Sequence, residues 1–226
     1  MEAFPGWHSR GYLPHFDDGR ALQLVTFRLA DSLPASVMEK MEEQALDDAQ
    51  RRERIDWYLD QGMGSSLLRD PAHAAAVCGA LLATEGATHR LHAWVIMPNH
   101  VHVLAEPLAG RTIGELVGAW KGVSARRIVP GSAAVPGRIA PGGLTPSDEM
   151  GKRHKTAAGD GRAPTRRVWQ PDYFDRFIRD ERHYRAAIGY VHLNPVAARL
   201  VAAPEQWPWS SAAAPPLTST RTARGR

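Results

Sequence analysis

Two histidines separated by one apolar residue stand in the run Met97-Pro98-Asn99-His100-Val101-His102-Val103-Leu104. In an extended strand alternate side chains share a face, so His100 and His102 project together while Val101 and Val103 face the other way. Two imidazoles at that spacing can share one divalent cation. The apolar flanks set both rings beside a core, where buried polar groups need partners. The plainer alternative is a hydrogen-bonded or solvated pair that binds nothing. Two ligands are too few for a stable site, so a third donor must come from another element.

The segment Tyr190-Val-His-Leu-Asn194-Pro195 offers that donor. Tyr190 and Asn194 are spaced i, i+4 and share one face of a helix. Asn194 can give an oxygen to a cation, and Tyr190 would lie beside it. A phenol is a weak nucleophile while protonated, with an ordinary pKa of about 10. A nearby divalent cation can stabilise the phenolate and polarise a phosphate oxygen. The alternative is that Tyr190 packs in the core and Asn194 ends a helix before Pro195. His192 falls on a different helical face and is set aside.

Charge is unevenly spread over the 226 residues. Residues 1–109 hold 9 Lys/Arg against 15 Asp/Glu, and residues 110–226 hold 19 against 9. A basic half beside an acidic half suggests a polyanionic partner. Arg outnumbers Lys by 24 to 4; Arg suits phosphate and guanine, although a GC-rich genome gives the same bias. No apolar run approaches the ~20 residues needed to cross a bilayer, and the first residues do not read as a signal peptide. The single Cys78 excludes an internal disulfide, fits a reducing cytoplasm, and reads as a small buried hydrophobe.

The elements that must position these groups follow from periodicity. Residues 1–20, rich in Gly, Pro and His, read as an irregular lead-in. Residues 21–30 alternate as a strand. Residues 35–60 form a charged helix with a solvated outer face, broken at Gly62 and Gly64. Asp70-Pro71 opens a second helix to about Glu85. Strands follow over 90–97 and 100–105, with a bend at Pro98-Asn99. Thr112, with Glu115 at the reciprocal position, caps a helix to about Ile128. Residues 130–166 change to Gly, Pro, Ala and Ser and are expected to be a mobile loop. Residues 174–178 form a short strand, and Asp180 starts a helix to about Leu193. Trp207-Pro208-Trp209 should dock on the core, as should Trp120 and Trp169. The mixture predicts α+β architecture, an antiparallel sheet with packed helices, within one domain over 1–212 and a basic, disordered tail over 213–226.

Several stretches together resemble the REP-associated tyrosine transposases, a group within the single-tyrosine HUH transposase and endonuclease superfamily. They are Arg10-Gly-Tyr-Leu-Pro-His15, Val25-Thr-Phe-Arg-Leu29, Leu91 to Leu104, Trp120-Lys121, Trp169-Gln-Pro171, Tyr173 to Arg179, Tyr190 to Val196 and Trp207 to Ser211. Each match is short, but they keep their order over residues 8–129 and 168–212. The resemblance implies a ferredoxin-like α+β fold of the HUH endonuclease type. It implies Mg²⁺ or Mn²⁺ held by His100, His102 and Asn194, with Tyr190 as nucleophile. The reaction it implies is attack on a phosphodiester of single-stranded or hairpin DNA, leaving a 5′-phosphotyrosine link and a free 3′-hydroxyl, followed by rejoining. It further implies a cytoplasmic, nucleoid-associated protein, acting as a monomer in cis; a dimer exchanging the tyrosine helix is the alternative. Two departures stand out. Arg199 occupies a position where the family has a Gly that ends a helix, and 130–166 is longer than the family linker.

Lys121, Arg126, Arg127, Arg176, Arg179 and Arg182 are the candidate DNA contacts, each weighed against a solvated surface charge. Arg185 could line the same groove. Tyr12 and His15 could touch DNA or pack. Two rival functions are kept: a catalytically silent, domesticated DNA-binding protein of repeat elements, and a metal phosphodiesterase that uses water with Tyr190 structural.

Overall fold

The computed structural model describes residues 6–9, 14–17, 19–34, 36–37, 44, 48–129 and 167–213. The expected loop over 130–166, the basic tail beyond residue 213 and Tyr12 lie outside them. The described elements are β1 (Gly6–Ser9), β2 (Pro14–Asp17), β3 (Gln23–Arg28), α1 (Asp48–Asp60), α2 (Pro71–Leu82), β4 (His89–Ile96), β5 (His100–Pro107), α3 (Ile113–Ile128), β6 (Phe174–Phe177) and α4 (Glu181–Ala197). A four-stranded sheet has the order β4-β5-β3-β6, and every neighbouring pair is antiparallel. With the succession β3-α2-β4-β5-α3-β6, this is the ferredoxin-like arrangement.

Local chemistry explains the helix starts. Asp70 accepts a hydrogen bond from the Ala72 N–H, with Pro71 in the first turn of α2. Thr112 and Glu115 form the expected reciprocal box at the start of α3. Asp180 accepts from the His183 N–H at the start of α4. Each pairs an orphan N–H and places a carboxylate or hydroxyl at the positive end of the helix dipole.

The sheet is covered on both faces. Val25, Phe27, Val101 and Val103 pack against α2 and α3 through Val77, Leu81, Leu116 and Trp120. Leu24, Ala93, Val95 and Leu104 meet Ala187 and Val191 of α4 on the other face. Beyond α4, Trp207 donates its indole N–H to the Ile96 carbonyl at 2.9 Å. The Ile96 N–H donates to the Trp209 carbonyl at 2.8 Å and the Ser211 N–H to the Trp94 carbonyl at 2.9 Å. The C-terminal segment therefore closes the exposed edge of β4.

Three sequence expectations change. Residues 6–9 and 14–17 are not irregular, since β1 pairs antiparallel with β2. That hairpin is tied to β6 by the Phe16 N–H donating to Asp175 at 3.2 Å, a long-range contact invisible in a Gly- and Pro-rich stretch. The last helix does not stop at Leu193; α4 continues through Pro195 to Ala197. It ends where Arg199 turns left-handed at φ 57°, with the Leu200 N–H donating to the Pro195 carbonyl and the Arg199 N–H to the Val196 carbonyl, both 2.9 Å. This is the closing motif that usually carries glycine, so Arg199 sits in a strained position. Finally, α1 is not a purely solvated element: Ile55 and Leu59 are buried with Leu33 and Val37.

Inside this frame His15 is fully buried and hydrogen-bonds both Asp172 and Asp175. Burial alone would lower its pKa, but the two carboxylates outweigh it and raise it to about 9. The ion pair therefore contributes stability in full below the ordinary value of 6.5 and loses it as pH rises through about 9.

Two outcomes are expected by urea unfolding. The stability advantage of wild type over His15→Gln should shrink by on the order of 3 kcal/mol between pH 6 and 10; an advantage independent of pH contradicts the charged pair. Arg199→Gly should stabilise by about 0.5–1 kcal/mol, and a loss of stability contradicts the strain.

Candidate active site

The His100–His102 pair sits on β5 opposite Arg28 and Thr26 of β3, on the sheet face covered by α4. Both rings are buried. Their Nε2 atoms lie 3.0 Å apart. Each ring is anchored through its other nitrogen: His100 Nδ1 is 2.7 Å from Asn99 Oδ1, and His102 Nδ1 is 2.8 Å from Thr26 Oγ1.

The anchors decide the tautomers. Asn99 Nδ2 donates to the Leu59 and Met63 carbonyls, each at 3.1 Å, which fixes Oδ1 toward His100. An amide oxygen only accepts, so His100 Nδ1 carries the proton and Nε2 presents a bare lone pair. The proton between the rings then belongs to His102 Nε2. Thr26 Oγ1 can accept as well as donate, so His102 can move its proton to Nδ1 and free Nε2 too. The Met63 carbonyl comes from a turn whose Gly64 has φ 82° and approaches Asp31 so closely that a Cβ would lie 2.4 Å from its carbonyl oxygen; only glycine fits there.

Burial makes both rings neutral. It lowers the His102 pKa to about 3. His100 is held well below its ordinary value by burial and by the neighbouring ring.

α4 delivers the remaining groups along one stripe, His183-Ala187-Tyr190-Asn194. Tyr190 Oη lies 3.4 Å from His102 Nε2, and Asn194 Nδ2 lies 3.3 Å from the same atom. Asn194 Oδ1 is buried without a hydrogen-bond partner. A half-turn of that amide exchanges its nitrogen and oxygen and aims an unsatisfied acceptor at the two histidines. Two neutral imidazoles and one orphaned amide oxygen fit a divalent cation. Among the described residues no group of three His, Cys, Asp or Glu side chains is placed to hold a metal ion; the Asn194 amide is not one of those types.

Tyr190 is held protonated. Burial is the main cause, reinforced by the carboxylates of Asp56, which accepts its hydrogen bond, and Asp60; Arg176 opposes them. Arg176 therefore belongs at the site, from β6 where it pairs with Leu24. Arg179 and Arg182 are exposed in and just before the first turn of α4, and the charges of Arg176 and Arg179 both reach His183.

The other predicted DNA contacts are not brought to this site. Lys121 donates to the carbonyls of Gln170 at 2.9 Å, Pro171 at 3.1 Å and Asp172 at 2.8 Å, so its three N–H groups hold a loop and none is left for phosphate. Arg126 and Arg127 end α3, with the sheet between that helix layer and the histidines. There they complement the negative end of the helix dipole. His192 donates to or accepts from Ser211 Oγ at 2.9 Å, away from the pair. Reading the sequence missed Thr26, Asn99, Asp56 and Asp60. Thr26 needs the β3–β5 register, and Asn99 reads as a bend until its carbonyl partners are known. Asp56 and Asp60 did leave a signal, an i, i+4 acidic pair following Ile55 and Leu59.

No family model matches the chain, and no curated protein does. Among solved structures the chain is similar to a REP-associated tyrosine transposase bound to a REP hairpin. The likeness covers 90% of this chain and 82% of that one, at 16% identity and a TM-score of 0.46.

Thr26→Val keeps the shape of the strand and removes only the hydroxyl that His102 Nδ1 needs. Mn²⁺ affinity by calorimetry should fall at least about tenfold. An unchanged affinity would show that the second ring is not oriented through Thr26.

Proposed function

We propose that this protein is a metal-dependent DNA endonuclease and transposase that cleaves and rejoins single-stranded, hairpin-forming DNA through Tyr190. The observation that carries the reading is the convergence of His100 Nε2, the Asn194 amide and Tyr190 Oη on His102 Nε2, each within 3.4 Å of it. The motifs shared with the REP-associated tyrosine transposases supply the substrate class and the expected localisation with DNA.

In this reading His100, His102 and Asn194 hold Mg²⁺ or Mn²⁺, which when bound polarises a phosphate oxygen and offsets the charge that builds on the phosphate. The chain's own residues do the rest. Burial keeps the imidazoles neutral and so able to act as ligands at physiological pH. α4 fixes the phenol beside the two rings, so that nucleophile and phosphate meet in one orientation. Arg176 adds positive charge next to the hydroxyl, and Arg179 and Arg182 extend it along the start of α4, where a phosphate backbone could run. Tyr190 Oη bonds to phosphorus as the P–O3′ bond breaks; the phenol proton leaves to solvent and the departing 3′-oxygen takes a proton from water, giving a 5′-phosphotyrosine and a 3′-hydroxyl. One ester replaces another, so rejoining is the same step reversed.

The firmly held phenol proton favours a second reading, in which water attacks and Tyr190 only positions the phosphate. A silent DNA-binding protein would not need all four groups aligned.

The test is a denaturing gel of purified protein with Mn²⁺ and labelled single-stranded hairpin DNA from the repeats flanking its gene. Wild type should give a protease-sensitive covalent adduct, and Tyr190→Phe should give none while binding the hairpin about as tightly. Cleavage without adduct supports the water reading, and cleavage by Tyr190→Phe removes the tyrosine from the chemistry.

A further inference from the structure

The outer face of α1 carries four exposed side chains at the spacing of one helical stripe, Gln50, Glu53, Arg54 and Trp57. The opposite face is the buried one, where Ile55 and Leu59 pack with Leu33 and Val37. The four line a groove of about 300 Å³, at the small end of the range for ligand pockets. Trp57 is 54% exposed, more than any other large hydrophobic side chain among the described residues. Its plane is nevertheless set. The Tyr58 ring meets it edge-on, with centroids 4.9 Å apart and planes at 77°, and Tyr58 packs on the cluster that holds Ile55 and Leu59. Arg54 Nη2 donates to Gln44 Oε1 at 3.4 Å, which steadies the guanidinium. A positioned indole thus stands in solvent beside an amide, a carboxylate and a guanidinium.

A planar ring stacks on such an indole, and every nucleobase offers one. The polar neighbours narrow the choice. An ionised carboxylate only accepts hydrogen bonds and repels phosphate, so Glu53 suits a base edge and not a backbone. Guanine alone among the DNA bases presents two adjacent N–H donors on its pairing edge, N1–H and the N2 amino group, and they match the two oxygens of one carboxylate. Arg54 and Gln50 bring donors for the guanine acceptors O6 and N7. The pairing edge is open only where the strand is unpaired. The placement of α1 favours a base within DNA over a free nucleotide. The Leu59 carbonyl, two residues beyond Trp57, accepts from Asn99 Nδ2 at 3.1 Å, and Asn99 Oδ1 holds His100 at 2.7 Å. The stripe therefore stands on the helix tied to the histidine pair. We propose that Gln50, Glu53, Arg54 and Trp57 form a pocket for one unpaired guanine in the single strand flanking the cleaved phosphate. Trp57 stacks on the base, Glu53 accepts from N1–H and N2–H, and Arg54 donates to O6. This rests on the DNA-cleavage reading above and adds a base preference to it.

The test is equilibrium binding of the full chain, by fluorescence anisotropy, to the same labelled hairpin DNA with its single-stranded flanks. A parallel set replaces each unpaired guanine in turn by inosine, which lacks only the N2 amino group. Wild type should bind about fivefold more weakly, or worse, when one particular guanine is replaced. Glu53→Gln should erase the guanine–inosine difference at that position. Trp57→Ala should weaken binding about tenfold or more, and Trp57→Phe should recover most of the loss. The salt dependence of binding should keep its slope in all three variants, because no phosphate contact is removed. Trp57→Ala within about twofold of wild type, or a wild type indifferent to every guanine, overturns the proposal; the cleavage reading stands if wild type still forms the covalent adduct. A guanine–inosine difference that persists in Glu53→Gln overturns the assigned recognition. Free dGMP binding as tightly as the flanked hairpin overturns the assignment to DNA. A wild type that neither binds the hairpin nor forms the adduct overturns the cleavage reading and the proposal together.

Discussion

A β-strand turns successive side chains to opposite faces, and β5 has a different helical layer on each. Val101 and Val103 enter the core under α2 and α3, while His100 and His102 face α4. A one-residue slip of the β3–β5 register would exchange the two sets, burying imidazoles among leucines and turning valines toward Tyr190. The register is held by core packing on both sides and by the pairing of Thr26 with His102. Everything at the site inherits its position from that alternation: the convergence of the two Nε2 atoms, their approach to the Asn194 amide on α4, and the Asn99 amide that ties the strand to α1.

Desolvation then sets the chemical state of each group. The same removal of water lowers the histidines and raises the tyrosine, because it disfavours whichever form is charged. The resting site holds neutral rings and a neutral phenol. Negative charge from α1 and positive charge from β6 both reach the hydroxyl, although neither element carries the histidine or tyrosine motif. A buried site of this kind leaves few polar atoms to spare, which is why the lone acceptor of Asn194 points to a ligand.

Much of this was legible in the chain. Alternation around His100 and His102, the i, i+4 pair of Tyr190 and Asn194, and the caps at Asp70, Thr112 and Asp180 are local patterns, and each element formed where they placed it to within a few residues. The misses are long-range. The β1–β2 hairpin depends on β6, the extension of α4 past Pro195 depends on Arg199 adopting a glycine-like conformation, and the ties of Lys121 depend on a loop 50 residues away. That Arg126 and Arg127 lie across the sheet from the histidines is not legible either, because charge is visible in sequence and the intervening sheet is not. Asp56 and Asp60 looked solvated because the hydrophobic partners of Ile55 and Leu59 lie in another segment.

The central claim is that the two histidines and Asn194 form one cation site beside Tyr190. Crystals of the full chain soaked in Mn²⁺ and measured for anomalous scattering test it most directly. The account predicts a single strong peak bounded by His100 Nε2, His102 Nε2 and the Asn194 side chain, with Tyr190 Oη nearby. No peak there, or a peak held by other residues, would contradict it.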